Sequence, residues 1–253
     1  MPEGRRALVT AASSGIGRAV AARLCDDGAQ VFITGTSERT AETAGEVGAA
    51  GFARVDFTQP GEAAEAVRRA LDALGGVDIL IANTGGPRPS AFVGLTDGAW
   101  TDAYRLILGS AVELTRGVLP GMTEQGWGRV VYLTSTAGVV RPLPGLHLSN
   151  VMRAGVATLA RSIAPELGPH GITANVIAPG PIDTARHGQI VEFQAAAAGI
   201  PVAEAEAHEV AGIPVRRIGR VDEIASLAAF LCSEEAGFIT GAVHVIDGGM
   251  TQA

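Results

Sequence analysis

Lysine is absent from this chain of 253 residues, and all 19 of its basic side chains are arginine. A chain without lysine cannot form a Schiff base through a side chain, cannot supply the lysine of a P-loop, and has no catalytic lysine of any kind. Aromatic residues make up only 4% of the chain against 34 glycines, so the core must be aliphatic and closely packed. Acidic side chains are in excess and give a net charge of −7, so a nucleic-acid partner is not expected.

Cysteine is also scarce. Cys25 and Cys232 lie far apart in helix-like patterns, without a Cys-x-x-Cys motif or a Cys/His cluster. We interpret them as small buried side chains in a reducing compartment, which predicts a cytoplasmic protein. His170, His208 and His244 show no ligand spacing, so no metal site is predicted. No apolar run reaches the roughly 18 residues that span a bilayer, and the N-terminal stretch is too short for a signal peptide, so no membrane partner is expected.

What the sequence does contain is a repeated alternation of two kinds of segment. Seven short aliphatic and β-branched runs have the pattern of strands buried on both faces: RALVTA, QVFITG, FARVDF, VDILIAN, GRVVYLTS, TANVIAP and GAVHVID. Amphipathic stretches of helical period lie between them, among them Ile16 to Asp27, Glu62 to Leu74 and Thr101 to Met122. The alternation predicts one α/β domain over residues 1–253, with a parallel sheet and helices on both faces.

Two further helices are predicted from their capping residues. Ser37 is the predicted N-cap of a helix through 41–47, and Asp222 that of a helix through 224–231. The long alanine-rich segment 185–212 is predicted to be a helical flap over the functional site.

Small, polar and glycine-rich sequences follow the predicted strands. They are TAASSGIGRA, GTSER, DFT, NTGGPRP, TSTAG and PGPIDT, after strands one to six in turn. Ligands of open parallel sheets bind at the carboxyl ends of the strands, so these sequences are the candidate site. In the first of them, two glycines allow close backbone approach, and the start of the following helix aims free N–H groups at an anion.

Taken together, these sequences resemble the short-chain dehydrogenase/reductase family over about residues 5–250. The motifs that carry the resemblance are Thr10…Gly15-Ile16-Gly17, Asp56, Asn83-x-Gly85, Pro179-Gly180 and Asp247-Gly248-Gly249. The resemblance implies a single Rossmann-type, doubly wound domain with a seven-stranded parallel sheet. It also implies an NAD(P)-dependent oxidoreductase that acts on a small molecule by hydride transfer, and a homotetramer.

The resemblance also assigns the cofactor-binding residues by position. Those implied at the pyrophosphate loop are Thr10, Ser13, Ser14, Gly15, Ile16 and Gly17, where the family's first loop glycine is Ala11. The others are Asp56 and Phe57 at the adenine, Asn83 and Gly85 at the ribose, and Pro179, Gly180, Ile182 and Thr184 at the nicotinamide.

The end of the second strand indicates which dinucleotide is used. An acidic residue there would bind a ribose 2′-hydroxyl and repel a 2′-phosphate. This chain has Gly35, Thr36, Ser37 and Arg39 instead, and these hydroxyls and the arginine favour NADP over NAD.

The family's catalytic asparagine, serine, tyrosine and lysine are not all present. Only Ser135 is retained, Ile107 stands at the asparagine position, and neither of the two tyrosines, Tyr104 and Tyr132, begins the relevant helix. Tyr132 is predicted to pack in the core. Tyr104, one helical turn before Ile107, is a candidate to reach the edge of the site, although core packing is preferred for it as well. The chain resembles a divergent branch, often labelled 3-oxoacyl-carrier-protein reductases, through Pro87-x-Pro89, Leu148-Ser149-Asn150 and Arg153.

Two registers are open for the tyrosine and lysine positions. Counting back from Pro165-Glu166-Leu167 gives Ser149 and Arg153, which is preferred because a loop absorbs an insertion more easily than a helix does. Counting forward from Ser135 gives Leu148 and Met152. In the preferred register Arg153 takes the lysine's part of holding the ribose and supplying charge.

The source of the proton also remains open. A serine hydroxyl is a poor acid compared with a phenol, so the candidates are His147, water relayed by Ser135 and Ser149, and a substrate that needs no proton. Arg186 and His187 are candidates to contact the substrate from the flap, although a solvated loop is the preferred interpretation. A non-redox enzyme comparable to the halohydrin dehalogenases, or a dinucleotide-binding protein with impaired catalysis, is the alternative to an oxidoreductase.

Overall fold

Seven strands form one sheet in the computed structural model, which describes residues 3–252. The strands are β1 (Arg6–Val9), β2 (Gln30–Gly35), β3 (Gly51–Arg54), β4 (Ile79–Ala82), β5 (Gly128–Leu133), β6 (Ile172–Pro179) and β7 (Val243–Ile246). Every pair is parallel, and the order is β3-β2-β1-β4-β5-β6-β7. The predicted seven-stranded, doubly wound α/β fold is confirmed.

Helices connect the strands and cover both faces of the sheet. They are α1 (Gly15–Asp26), α2 (Arg39–Val47), α3 (Glu62–Leu74), α4 (Asp97–Ala103), α5 (Ser110–Gln125), α6 (Thr136–Val139), α7 (His147–Leu167), α8 (Ala185–Ala198), α9 (Val202–Gly212) and α10 (Val221–Leu231). Short 3₁₀ turns lie at Phe92–Gly94, Gly168–His170 and Met250–Gln252. Among residues 3–252, none of the helices is long and apolar enough to cross a membrane.

The core consists of two hydrophobic layers, one on each face of the sheet. Successive strand residues point to opposite faces, so Leu8 of β1 joins one layer while Ala7 and Val9 join the other. Helices α3, α5 and α7 pack on the Leu8 side, and α1, α2 and α10 pack on the Ala7 side. Both faces of the strands are therefore buried, and the edge where the strands end at their carboxyl termini remains for ligands.

The helix predicted from Thr101 to Met122 is interrupted. Helix α4 ends at Ala103, a π-helical segment runs over Tyr104–Gly109, and α5 continues to Gln125. The apolar period alone could not show the insertion, because a π-helical segment widens one stretch of an otherwise continuous helix. Ile107, at the family's asparagine position, is buried within this segment.

Both predicted N-caps are wrong by one or two residues. Helix α2 is preceded by Glu38, and the carbonyl of Ser37 accepts hydrogen bonds from the backbone N–H and hydroxyl of Thr40 instead. Helix α10 begins one residue before Asp222, and its first turn is capped by the Glu223 carboxylate, which accepts the Arg220 N–H at 2.7 Å. The glutamate at the third helical position thus caps the helix in place of Asp222. The amino-acid composition of the segment does not show which of the two acidic side chains does so.

Candidate active site

A cleft of about 1070 Å³ lies at the carboxyl ends of the strands. Residues that follow strands β1 to β6 line its floor, and the beginning of α8 together with Glu209 of α9 lines one wall. The strand order reverses between β1 and β4, so the cleft lies at the switch point where doubly wound sheets bind ligands. Segment 185–212 consists of α8 and α9 and flanks this cleft.

The turn after β1 brings backbone close to the cleft floor. A Cβ added to Gly17 would lie 2.8 Å from the Asn83 amide nitrogen and 2.9 Å from the Ala12 Cα, so only glycine fits there. The Asn83 amide nitrogen donates to the Ala11 carbonyl at 3.2 Å, which fixes the turn against the end of β4. Thr10 is fully buried behind it, and its hydroxyl donates to the Asn83 carbonyl at 2.6 Å.

Helix α1 begins at this turn with its N-terminus toward the cleft. Ser14 precedes the helix without a side-chain capping bond, and the first turn contains no acidic residue. Its free N–H groups and the helix dipole therefore favour an anion such as a pyrophosphate. Together with the close backbone approach at Gly17, this arrangement fits the phosphates of a dinucleotide.

Ala11 adopts a left-handed backbone conformation with a φ of 47°. This conformation costs an L-residue with a Cβ roughly 1–2 kcal/mol. Glycine would remove that strain, although it gains about 0.5–1 kcal/mol of unfolded-state entropy relative to alanine.

We therefore expect Ala11→Gly to raise the free energy of unfolding by about 0.5–1 kcal/mol. Urea denaturation followed by circular dichroism measures the change. The neighbouring Ala12→Gly variant is the matched control and should lower stability, because Ala12 is fully buried and has no positive φ. A loss of stability in Ala11→Gly as large as in the control would contradict this reading of the turn.

The cleft extends to the end of β2, where the adenosine part of a dinucleotide would lie. Thr36 and Phe57 line it, whereas Ser37, Arg39 and Asp56 are exposed outside the lining. Asp56 accepts hydrogen bonds from the backbone N–H and hydroxyl of Thr58 and so shapes a turn. Arg39, the first residue of α2, forms no ion pair with any residue in the described range 3–252, so its charge is not neutralised near the end of β2.

Most of the remaining predicted residues meet in the same cleft. Its lining includes Ser13, Ser14, Gly15, Ile16, Asn83, Gly85, Ser135, Ser149, Arg153, Pro179, Gly180, Ile182 and Thr184. The hydroxyl of Ser135 accepts the Ala137 N–H at the start of α6, and the Thr184 hydroxyl accepts the His187 N–H at the start of α8. Two of the cleft's hydroxyls are thus held in place by helix capping.

Arg153 spans the cleft floor from α7. Its N–H groups donate to a ring of acceptors at the ends of β4 and β5 and to one side chain of its own helix. These acceptors are the Ser149 hydroxyl at 3.1 Å and the carbonyls of Leu133 at 2.9 Å, Gly85 at 3.0 Å, Thr134 at 3.3 Å and Thr84 at 3.4 Å. These five bonds use every N–H of a guanidinium group.

No carboxylate among the described residues forms an ion pair with Arg153, which is only 9% exposed. Burial, with a smaller contribution from the nearby charge of Arg186, lowers the pKa of Arg153 to about 10. The guanidinium remains a cation at neutral pH, and carbonyl dipoles rather than a counter-ion stabilise it. Since no counter-ion neutralises it, the positive charge of Arg153 raises the electrostatic potential in the cleft.

The alternative register leads away from the cleft. Leu148 and Met152 pack into the hydrophobic layer on the Leu8 side of the sheet. His147 also lies outside the cleft lining. It lines a smaller adjoining depression that shares Leu146 and Ser149 with the cleft, and its ring meets that of Phe92 edge-on with the centroids 5.6 Å apart. The geometry thus gives no support to His147 as the proton donor.

Neither tyrosine of the chain lines the cleft. Tyr132 is fully buried and its hydroxyl lies 2.7 Å from that of Thr115, and burial raises its pKa to about 12. The prediction that Tyr132 packs in the core is confirmed. The same prediction for Tyr104 is wrong, because this side chain is 50% exposed on the π-helical segment.

The interpretation of Arg186 and His187 as solvated loop residues is also wrong. Both are half-buried on α8 and line the cleft. His187 Nε2 lies 2.6 Å from Glu209 Oε2 of α9, and this hydrogen bond raises the pKa of His187 above its usual range. Only the packing of α8 against α9 joins residues 22 positions apart, so no local sequence signal could have found the pair.

The fold and the cleft define a class, the doubly wound α/β proteins that bind a dinucleotide at the switch point. In agreement, residues 10–251 match the model of the enoyl-(acyl carrier protein) reductase family. The 3-oxoacyl-[acyl-carrier-protein] reductase FabG of Vibrio cholerae serotype O1 is 36% identical over 252 residues, which cover 98% of both chains. FabG of Escherichia coli strain K12 is 35% identical over 250 residues, with 98% of both chains covered.

Solved structures agree with these sequence matches. A variant of the actinorhodin polyketide ketoreductase with NADPH gives a TM-score of 0.93 at 29% identity, covering 99% of this chain and 98% of that one. YwfH, an NADPH-dependent reductase involved in bacilysin biosynthesis, gives 0.91 at 27% identity, covering 99% and 100%. The chain belongs to the short-chain dehydrogenase/reductase family, and its relatives are oxidoreductases.

Proposed function

We propose that the protein is an NADP-dependent reductase of a small carbonyl compound that operates without a phenolic proton donor. The observation that carries the proposal is the single cleft that brings the glycine-rich turn after β1 together with Ser135, Ser149 and Arg153. The bound dinucleotide would supply the hydride. The chain supplies the binding surface and the proton.

Ser149 is the residue best placed to serve the carbonyl oxygen. Its hydroxyl oxygen accepts the Arg153 Nε–H at 3.1 Å, so its own hydrogen is free to be donated into the cleft. The adjacent cation stabilises negative charge that develops on that oxygen. A water molecule hydrogen-bonded to Ser135 would replace the proton that Ser149 gives up. A serine hydroxyl is a far weaker acid than a phenol, so we expect turnover to be slow.

The residues at the end of β2 support NADP as the dinucleotide. Thr36 lines the cleft there, and neither Thr36 nor Ser37 is acidic. The carboxylate that follows, Glu38, is paired with Arg54 at 3.1 Å. Arg39 lies three residues after Thr36 and adds a positive charge near the end of β2.

Thr36→Asp is therefore expected to weaken NADPH binding about 10-fold to 100-fold while NADH binding stays within a few-fold of wild type. Titration of each cofactor, followed by nicotinamide fluorescence, measures both affinities. The uncharged Thr36→Asn variant separates charge from shape. Failure of the wild type to bind either cofactor would overturn the proposed function, and equal effects of the two variants would overturn the assignment of this position.

We also propose that the protein is a homotetramer. Strand β7 is the edge of the sheet, Val245 on it is 40% exposed, and Phe238 just before it is fully exposed. Exposed apolar side chains at a sheet edge are typical of a surface that another subunit covers. Light scattering should give four times the 25.7 kDa mass of one chain, and a monomeric mass would contradict the proposal.

A cytoplasmic location is proposed on the cysteines. Cys25 and Cys232 are both free thiols, as expected in a reducing compartment. Recovery of the protein in the membrane or secreted fraction of its source cells would contradict it.

A further inference from the structure

The guanidinium of Arg186 covers the segment that follows β4. Its Nη2 donates to the Pro87 carbonyl at 2.6 Å, and its Nη1 makes a long bond of 3.4 Å to the Gln189 side chain. A Cβ on Gly86 would lie 2.9 Å from Nη2 and 3.2 Å from both Cζ and Nε, so the group lies against this glycine. Gly86 and Arg186 both line the cleft, so the guanidinium group lies at the cleft surface.

Arg186 has more donors than the protein satisfies. A guanidinium has five N–H groups, and only two bonds to acceptors within residues 3–252 involve this one. No carboxylate in the same range forms an ion pair with it. Burial lowers the pKa of Arg186, which shows that the charge is partly removed from water without a counter-ion.

A second buried cation stands beside it. Arg153 donates to the Gly85 carbonyl at 3.0 Å, two residues before the carbonyl that Arg186 uses, and the charge of Arg186 lowers the pKa of Arg153. Arg153 has no N–H group left to donate to a ligand, so it would attract an anionic ligand only through its positive charge. Arg186 has both the charge and the free donors.

The acidic side chains that line the cleft do not neutralise the positive charges of Arg186 and Arg153. Glu209 is hydrogen-bonded to His187 at 2.6 Å and forms no ion pair with Arg186 or Arg153. Asp183 is exposed and forms no ion pair with Arg186 or Arg153. Segment 84–87 therefore lies between two guanidinium groups, and the potential there is positive.

We propose that Arg186 binds a carboxylate of the substrate, so that the compound reduced is a small oxo acid. The proposal rests on the reductase function proposed above and names its substrate class. A planar carboxylate matches the free edge of a guanidinium with two parallel hydrogen bonds. Arg153 donates hydrogen bonds both to the Ser149 hydroxyl and to the Gly85 carbonyl, which lies in the segment that Arg186 covers. The carboxylate and the reacting carbonyl would therefore occupy the same end of the cleft.

The test compares an anionic probe with a neutral probe of the same skeleton. Calorimetric titration of the NADP⁺ complex with 3-oxobutanoate and with its ethyl ester gives both affinities. We expect wild type to bind the acid at least about 10-fold tighter than the ester, and Arg186→Gln to lose about 10-fold to 100-fold in acid affinity. Arg186→Lys, which keeps the charge but not the fork, should retain part of the preference.

Two controls separate the substrate from other causes. Arg88→Gln removes one positive charge from the neighbouring loop and should leave the preference for the acid unchanged. NADPH affinity, measured first on each variant, should be the same in wild type and Arg186→Gln, and a thermal melt establishes that the variants are folded.

Several outcomes would overturn the proposal. They are equal affinity for acid and ester, no acid binding up to about 10 mM, an unchanged preference in Arg186→Gln, or a loss of NADPH affinity in that variant, which would assign Arg186 to the cofactor phosphates. A wild-type protein that binds no dinucleotide would instead overturn the reductase function. The two failures are therefore distinguishable.

Discussion

Replacing Arg153 by methionine is expected to lower the free energy of unfolding by about 2–4 kcal/mol and turnover by about 100-fold. Methionine fills much of the space but donates no hydrogen bond. It leaves carbonyl groups at the ends of β4 and β5 without the donor they share, and Ser149 without the Nε–H that orients it. Denaturant unfolding measures the first effect, and the rate of NADPH oxidation measures the second.

Arg153→Lys separates charge from geometry. An ammonium group keeps the positive charge but has three donors instead of a planar fork of five, so stability and turnover should lie between those of wild type and Arg153→Met. A methionine variant as stable and active as wild type would show that the guanidinium neither holds the strand ends nor serves the reaction.

Ser149→Tyr is expected to raise turnover by about 100-fold or more. Ser149 lines a cleft of about 1070 Å³, which has room for a phenol. A phenol titrates near 10, and the cation of Arg153 at one helical turn would lower its pKa toward neutrality. The variant thus supplies a much stronger acid than the Ser149 hydroxyl.

Ser149→Phe is the matched control, because it adds the same ring without the hydroxyl. We expect Ser149→Phe to be no faster than wild type, and NADPH affinity to be similar in the two ring variants. If both ring variants were equally slow while still binding NADPH, the phenol would not be in reach of the substrate, and the assignment of Ser149 to the tyrosine position would be wrong.

The fold was largely predictable because its signals are local. Each strand buried on both faces is a short aliphatic run, and the sequence after each strand is small or polar where the chain turns at the sheet edge. The structure departs from the prediction at two helix features that the local sequence pattern does not determine. The π-helical segment over Tyr104–Gly109 interrupts the helix predicted from Thr101 to Met122, and the Glu223 carboxylate replaces the cap expected from Asp222.

The candidate site was predictable only in part, for the same reason. Ser149 and Arg153 lie four residues apart on one helix, so their shared face follows from helical geometry. The position of Arg186 depends on how α8 packs over the loop after β4, and Gly86 gives no sign in sequence that it leaves room for a guanidinium. The composition showed that lysine is missing. It could not show that every N–H of the Arg153 guanidinium donates a hydrogen bond to another group of the protein.

A crystal structure of the complex with NADPH tests the central claim most directly. The account predicts the pyrophosphate at the N-terminus of α1, the nicotinamide beside Ser149 and Ser135, and no phenol near its hydride-bearing carbon. A cleft too narrow for the pyrophosphate would contradict it. So would the Tyr104 hydroxyl within hydrogen-bonding distance of a carbonyl bound over the nicotinamide.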